Sequence, residues 1–325
     1  MKHIFSTFLK ILIGLLLVLL IGAGLLLAWG AYRISQHSRQ PLERWYSGAG
    51  SAQKRPIILV HGLNRSARMW AVADDGHGNG IPETISMVDF LKSRGFPNIY
   101  LNTFADTRNA SLVENARILK MWIDKTKKRF NAGKVDIISH SMGALVARAY
   151  LQEMDLKDGS RVSSLSYEDD VANLVMIAAP HLGSPLADSI PSVTGWYAQR
   201  TLSEGGGPDL RRLNSLPVSC EVNFHSIIVS ASPRKRQRWS PWWLLRSLVS
   251  LKAPIDGDGT VSLKSQDLEE ASSFTKCKLR RHFRHSVNVR RGIRHRDAPH
   301  SPAIQREIFE ILSAEGSGSG NEPRR

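Results

Sequence analysis

The chain has 325 residues, 42% of them apolar, with 44 Lys and Arg against 29 Asp and Glu, a formal charge of +15 at pH 7. That suits one large domain or two small ones with a filled core, and the charge favours an anionic partner such as nucleic acid, an acidic membrane surface or an acidic polymer. Only two cysteines occur, Cys220 and Cys277, with no Cys/His metal spacing; this argues against a zinc site, and the two could pair if the domain is exported.

Residues 11–29 carry no charge and are mostly Leu, Ile, Val, Gly and Ala, after Lys2 and Lys10. As a helix this run is roughly 28 Å long, near the hydrocarbon thickness of a bilayer. A cleavable signal has a shorter core and a small-residue exit site. Here the exit reads Ala28-Trp-Gly-Ala-Tyr-Arg33, a poor site, and no cysteine follows for lipid attachment. Residues 1–32 are therefore expected to be an uncleaved membrane anchor, a cleaved signal being the alternative. Arg33, Arg39 and Arg44 compete with Lys2 and Lys10 in setting orientation. A single N-terminal anchor usually exports the domain behind it, which places that domain on the non-cytoplasmic side, periplasmic in a Gram-negative cell.

Residues 33–54 read as a polar tether. Residues 55–60, an apolar run after a proline, predict a buried parallel strand that ends at His61-Gly62-Leu63-Asn64. Residues 71–81 are loop, and 82–94 a helix with Pro82 at its start and Gly95 after its end. A short strand is expected at 98–103. Residues 111–130 form a long amphipathic helix on Leu112, Ala116, Leu119, Trp122 and Ile123, broken by Asn131-Ala-Gly133. Residues 135–138 are a strand, 139–143 (Ser-His-Ser-Met-Gly) a tight turn, and 142–154 a helix. A connector covers 155–170. The strand 171–179 ends in Pro180-His-Leu-Gly-Ser-Pro185, and 186–218 reads as an inserted cap. Strand 222–229 precedes a basic, tryptophan-rich segment at 232–253. Asp256-Gly-Asp-Gly-Thr-Val261 is a turn, 281–289 a charged last strand, and 301–312 a helix with Ile304, Ile308 and Ile311 on one stripe. The tail 315–325 is disordered by composition.

Strands alternating with helices predict a mostly parallel central sheet with helices on both faces, in one domain over 55–314. Function in such sheets sits at the carboxyl ends of the strands. His61-Gly62, Ser141, Pro180-His181 and the Asp256/Asp258 turn all fall there. A strand, a sharp corner and a helix are how a serine hydroxyl is held clear of its backbone, and Ser141 is the apex. A serine needs a base, a carboxylate to orient that base, and donors for the oxyanion. The residues offer Asp256 or Asp258 as the acid. As base they offer His282, His285, His295 and His300. The first two lie inside the expected strand, whereas a base belongs on a loop beyond it. Read as a calcium loop, Asp256-Gly-Asp-Gly lacks the ligating Glu at the required spacing.

The pieces PIILVHGL, VDIISHSMGALVARAYL, LVMIAAPHLGSPLAD, GDGTVS and PHSPAIQREIFEIL resemble α/β-hydrolases of the bacterial lipase and esterase kind. Serine stands at 139 where that family's G-x-S-x-G pattern has glycine. The resemblance implies an α/β-hydrolase fold and nucleophile, acid and base in that chain order. It implies an oxyanion hole from the backbone N–H groups of Leu63 and Met142. Asp258, in Asp-Gly-Thr-Val, fits the acid best, with Asp256 as the alternative. His300, directly before the last helix, fits the base, with His295 as the alternative. His181 is expected in the pocket wall or scaffold. Ser301-Pro302 follow His300 where relatives carry a calcium-binding aspartate, so no calcium and no cofactor are implied.

The implied activity is hydrolysis of carboxylic esters through an acyl-enzyme on a Ser-His-Asp triad. Arg234, Lys235, Arg236 and Arg238 beside Trp239, Trp242 and Trp243 match an interfacial membrane segment. Together with the anchor they favour lipid or other long-acyl esters as substrate and argue against nucleic acid. An acyltransferase with the same triad, or a non-catalytic membrane-surface binder on the same scaffold, are the alternatives.

Overall fold

Continuous apolar runs in the sequence become the strands of a seven-stranded sheet in the computed structural model. The structure describes residues 42–48, 54–72, 85–154, 165–189, 197–203, 205–217, 221–231, 256–271, 282–289, 293 and 295–314, plus helical positions 14, 18, 19, 22 and 24. Apart from those five positions the expected anchor lies outside the described residues. So do the segment 232–253, the tail 315–325 and both cysteines. Among the described residues no helix is long and apolar enough to cross a membrane.

The strands are β1 (Arg44–Tyr46), β2 (Ile57–Val60), β3 (Ile99–Leu101), β4 (Val135–His140), β5 (Val171–Ile177), β6 (Asn223–Ala231) and β7 (His282–Val289). Their order is β1-β3-β2-β4-β5-β6-β7. All neighbours are parallel except β1, which runs antiparallel to β3. The tether expected at 33–54 thus contains an edge strand. Trp45 lies 4.0 Å from Tyr100, centroid to centroid. A three-residue strand on a polar segment leaves no periodic signal; its aromatic partner is supplied from β3.

Pleating sends alternate residues to opposite faces. Ile58, Val60, Tyr100, Val135, Ile137, Leu174 and Met176 pack with α3 (Leu112–Phe130) and α4 (Met142–Leu151). Ile57, Leu59, Ile99, Ile138, Val175, Ile177 and Ile227 pack with α1 (Arg68–Ala71), α2 (Met87–Ser93) and α9 (Pro302–Ala314). On α9 the expected Ile304, Ile308 and Ile311 stripe is buried. Each such side chain contributes about 1.5–3 kcal/mol.

Caps set the helix ends. Ser111 and Glu114 form a reciprocal capping box, and Asn131 closes α3 in the left-handed region at φ 48°. The helix expected from 82 begins only at Met87, because Ser86 accepts the Asp89 N–H as its N-cap. Within the expected cap, the described residues form a 3₁₀ turn at Ala187–Ser189 and the helices α5 (Tyr197–Thr201) and α6 (Pro208–Ser215). Two further short helices, α7 (Leu263–Gln266) and α8 (Leu268–Ala271), follow the 256–261 turn. A 3₁₀ segment, His295–His300, leads into α9.

Candidate active site

Ser141 sits between β4 and α4 at φ 54° and ψ −130°, a region that costs a non-glycine residue about 1–3 kcal/mol. The corner is held from both sides. Ser141 N–H donates to the Ile177 carbonyl at 2.9 Å, and its own carbonyl accepts from Ala144 N at 3.0 Å. Close backbone packing requires glycine twice. A Cβ on Gly143 would stand 2.6 Å from the His61 carbonyl, and one on Gly62 2.9 Å from the His140 carbonyl. Ser139 takes the place of a third glycine without strain, its hydroxyl donating to the Val175 carbonyl at 3.0 Å.

Gly62 also lies beside Met142: its Cβ would be 3.4 Å from the Met142 nitrogen. Met142 opens α4, so its N–H has no carbonyl four residues back within the helix. The Leu63 N–H comes from the peptide that follows Gly62. His61 orients that peptide. Its Nε2 accepts from Phe104 N at 3.0 Å, which leaves the proton on Nδ1, 3.0 Å from the Gly62 carbonyl. In a trans peptide C=O and N–H point opposite ways, so holding the Gly62 carbonyl sets the direction of the Leu63 N–H. Burial lowers the His61 pKa to about 4, opposed by the Gly62 bond and reinforced by the charge of Arg65. The imidazole therefore stays neutral.

Asp258 is 6% exposed, whereas Asp256 is exposed. Asp258 Oδ1 accepts from Thr260 N and Val261 N, each at 2.9 Å. Its turn is tied to the sheet by Ala231 N to the Gly257 carbonyl at 2.8 Å. Gln266 braces the same turn, its Nε2 donating to the Val229 and Val261 carbonyls at 3.1 and 2.9 Å. Nothing in the sequence around Gln266 signals that role, which exists only once β6 and the turn are adjacent.

The histidine that reaches Ser141 is His295. Its Nε2 lies 2.9 Å from Ser141 Oγ and its Nδ1 is hydrogen-bonded to Asp258 Oδ2. His300, expected in this role, is at the far end of the same 3₁₀ segment. Five residues at about 2 Å rise set the two roughly 10 Å apart. The expectation assumed that the base abuts the last helix; a 3₁₀ segment intervenes, and His300 is buried at its α9 end. His282 and His285 lie on β7, as expected. His140, next to Ser141, carries no signal of a role in the sequence; its Nε2 meets the His295 carbonyl at 3.0 Å.

His181 is scaffold. It is fully buried, and its Nδ1 accepts from Arg148 Nη1 at 3.0 Å. Arg148 also donates to Asn214 of α6 at 3.0 Å and to Gln152 at 3.0 Å. This ties the helix that follows Ser141 to α6. Burial lowers the Arg148 pKa to about 9 and holds that of His181 well below its ordinary value.

Among the described residues two groups could converge on a cation. In the first, Asp267, Glu269 and His282, Asp267 already pairs with Arg284 at 3.1 Å and His282 Nε2 contacts Ser226 Oγ at 3.0 Å. In the second, Asp124, Glu168 and Asp170 pair with Lys120 and Lys127.

Residues 54–201 match the family described as lipase (class 2). That interval holds Ser141, Leu63 and Met142, while Asp258 and His295 lie beyond it. No curated protein matches the chain. Among solved structures, the mature lipase BlEst2 of Bacillus licheniformis is similar, with 15% identity and a TM-score of 0.55 over 84% of this chain and 98% of that one. EstA of Clostridium botulinum aligns at 14% identity and a TM-score of 0.50 over 81% of this chain and 87% of that one. At such identities the likeness is one of fold.

Proposed function

We propose that this chain, whose residues 54–201 match the lipase (class 2) family, is a carboxylic ester hydrolase that acts through an acyl-enzyme on Ser141, with His295 as base and Asp258 as its orienting acid. Ser141 Oγ attacks the acyl carbon, and its proton passes to His295 Nε2. The carbonyl oxygen becomes an oxyanion that accepts from the Leu63 and Met142 N–H groups. Collapse breaks the ester C–O bond, and the leaving alcohol takes the proton from His295. Water then adds to the acyl-enzyme by the same route and releases the acid. Asp258 orients the imidazole and stabilises the imidazolium.

The observation that carries this reading is the imidazole of His295 bonded on both sides, to Ser141 Oγ at 2.9 Å and to Asp258. The substrates we propose are lipid or other long-acyl esters, presented at a membrane. Support comes from the cap tied over α4 through Asn214, the apolar run 11–29 and the Trp-rich basic segment 232–253.

A fluorophosphonate probe should label the protein once, at Ser141 by peptide mapping. Ser141→Ala should lower ester hydrolysis by about 10⁴-fold or more with the fold intact. Label on another residue, or undiminished turnover in Ser141→Ala, overturns the mechanism. In a p-nitrophenyl ester series, rates that peak at acetyl overturn the long-acyl assignment and leave the triad standing.

A further inference from the structure

His140 precedes the nucleophile in the chain and is 1% exposed. It ends β4, and the pleat puts it on the same face as Ile138, the face that packs against Ala298 and Ile304 of the base segment and α9. Its Nε2 lies 3.0 Å from the backbone carbonyl of His295. The two rings lie 4.7 Å apart, tilted by 40°. A carbonyl only accepts, so the proton of His140 is on Nε2. Burial, then the charges of His295 and Arg65, hold its pKa well below the ordinary imidazole value. It is therefore a neutral donor throughout the working range of the site.

The imidazole of His295 is held at its two nitrogens, but those bonds do not themselves fix its backbone. The base opens a 3₁₀ segment, with no regular element immediately before it among the described residues. We propose that His140 is a positioning residue for ester hydrolysis: its Nε2–H holds the His295 carbonyl so that nucleophile and base are mounted on one strand end. The inference rests on the Ser141–His295–Asp258 reading. The sequence neighbour of the serine would then set where a residue 155 positions away in the chain presents its imidazole. Misplacing a reacting group by about 1 Å can cost 10²-fold.

Three substitutions test this. Gln places an amide N–H near the Nε2 position, Asn falls short of it, and Leu keeps bulk without a donor. His140→Leu and His140→Asn should lower kcat about 10- to 100-fold on a short soluble ester, with KM within about twofold, and slow fluorophosphonate labelling of Ser141 in proportion. His140→Gln should recover most of both. Equal rates for the Gln and Asn variants, or full kcat in the Leu or Asn variant, overturn the proposal. If the Leu variant does not fold, the Gln and Asn pair still decides. His295→Ala is measured in parallel. Full activity there sinks the triad reading itself. An inactive His295→Ala beside a fully active His140→Asn sinks only the role of His140.

Discussion

The nucleophile corner and the base segment meet at 2.9 Å, yet they are built by opposite means. The corner is local. Strand, strained serine and helix are consecutive, every residue of β4 and α4 is buried, and two glycines let backbones touch. The base segment is a short 3₁₀ stretch whose position depends on Asp258 and His140, neither of them near it in the chain. Sequence-local geometry makes the serine hard to misplace. Long-range bonds place the histidine, so its position is sensitive to single changes in distant segments.

The largest effect should come from the base itself. His295→Ala is expected to lower kcat by about 10⁴-fold, and His300→Ala to leave it within tenfold. The reverse ranking in steady-state kinetics would put the base at the wrong end of the 3₁₀ segment. Next in size is a break in the corner. Gly143→Ala drives a Cβ to 2.6 and 2.8 Å from the His61 and Val60 carbonyls. Overpacking against backbone should cost about 1–3 kcal/mol in urea melts and should also reduce turnover, since the oxyanion turn is displaced. An active Gly143→Ala protein of wild-type stability would show that the corner has slack.

A pH dependence of comparable or smaller size follows from His61. Its folded pKa, about 4, lies below the ordinary 6.5 because of burial. The unfolded chain therefore binds the proton first as pH falls. Stability from the neutral, buried ring is complete above pH 6.5 and is lost as pH falls from 6.5 through 4, on the order of 3 kcal/mol. His140 and His181 are shifted the same way and add to that slope. Denaturant melts that stay level between pH 6.5 and 4 would mean that these rings are solvated.

Some of this was readable from the chain because it is periodic or contiguous. The parallel strands, the α3 and α9 stripes and the apex position of Ser141 depend on neighbours within a few residues, so their burial follows from spacing. The family resemblance favoured Asp258 over Asp256 through the Asp-Gly-Thr-Val pattern, and the fold buries Asp258 and bonds it to His295. β1 carries no period because it has only three residues, and α2 starts later than Pro82 suggests because Ser86 is its N-cap.

What tertiary structure alone decided is which histidine stands against Ser141. Four candidates crowd the last quarter of the chain, and nothing in their spacing tells how far a 3₁₀ segment carries each one. That depends on where β4 ends, where the Asp258 turn docks on β6, and which backbone carbonyl His140 meets. Each is a long-range contact. By itself the sequence determined the strand-borne serine, since strand, corner and helix are set by local sterics and hydrophobic period. The histidine that meets it was selected by the fold, because hydrogen bonds between distant segments have no signature in either segment alone.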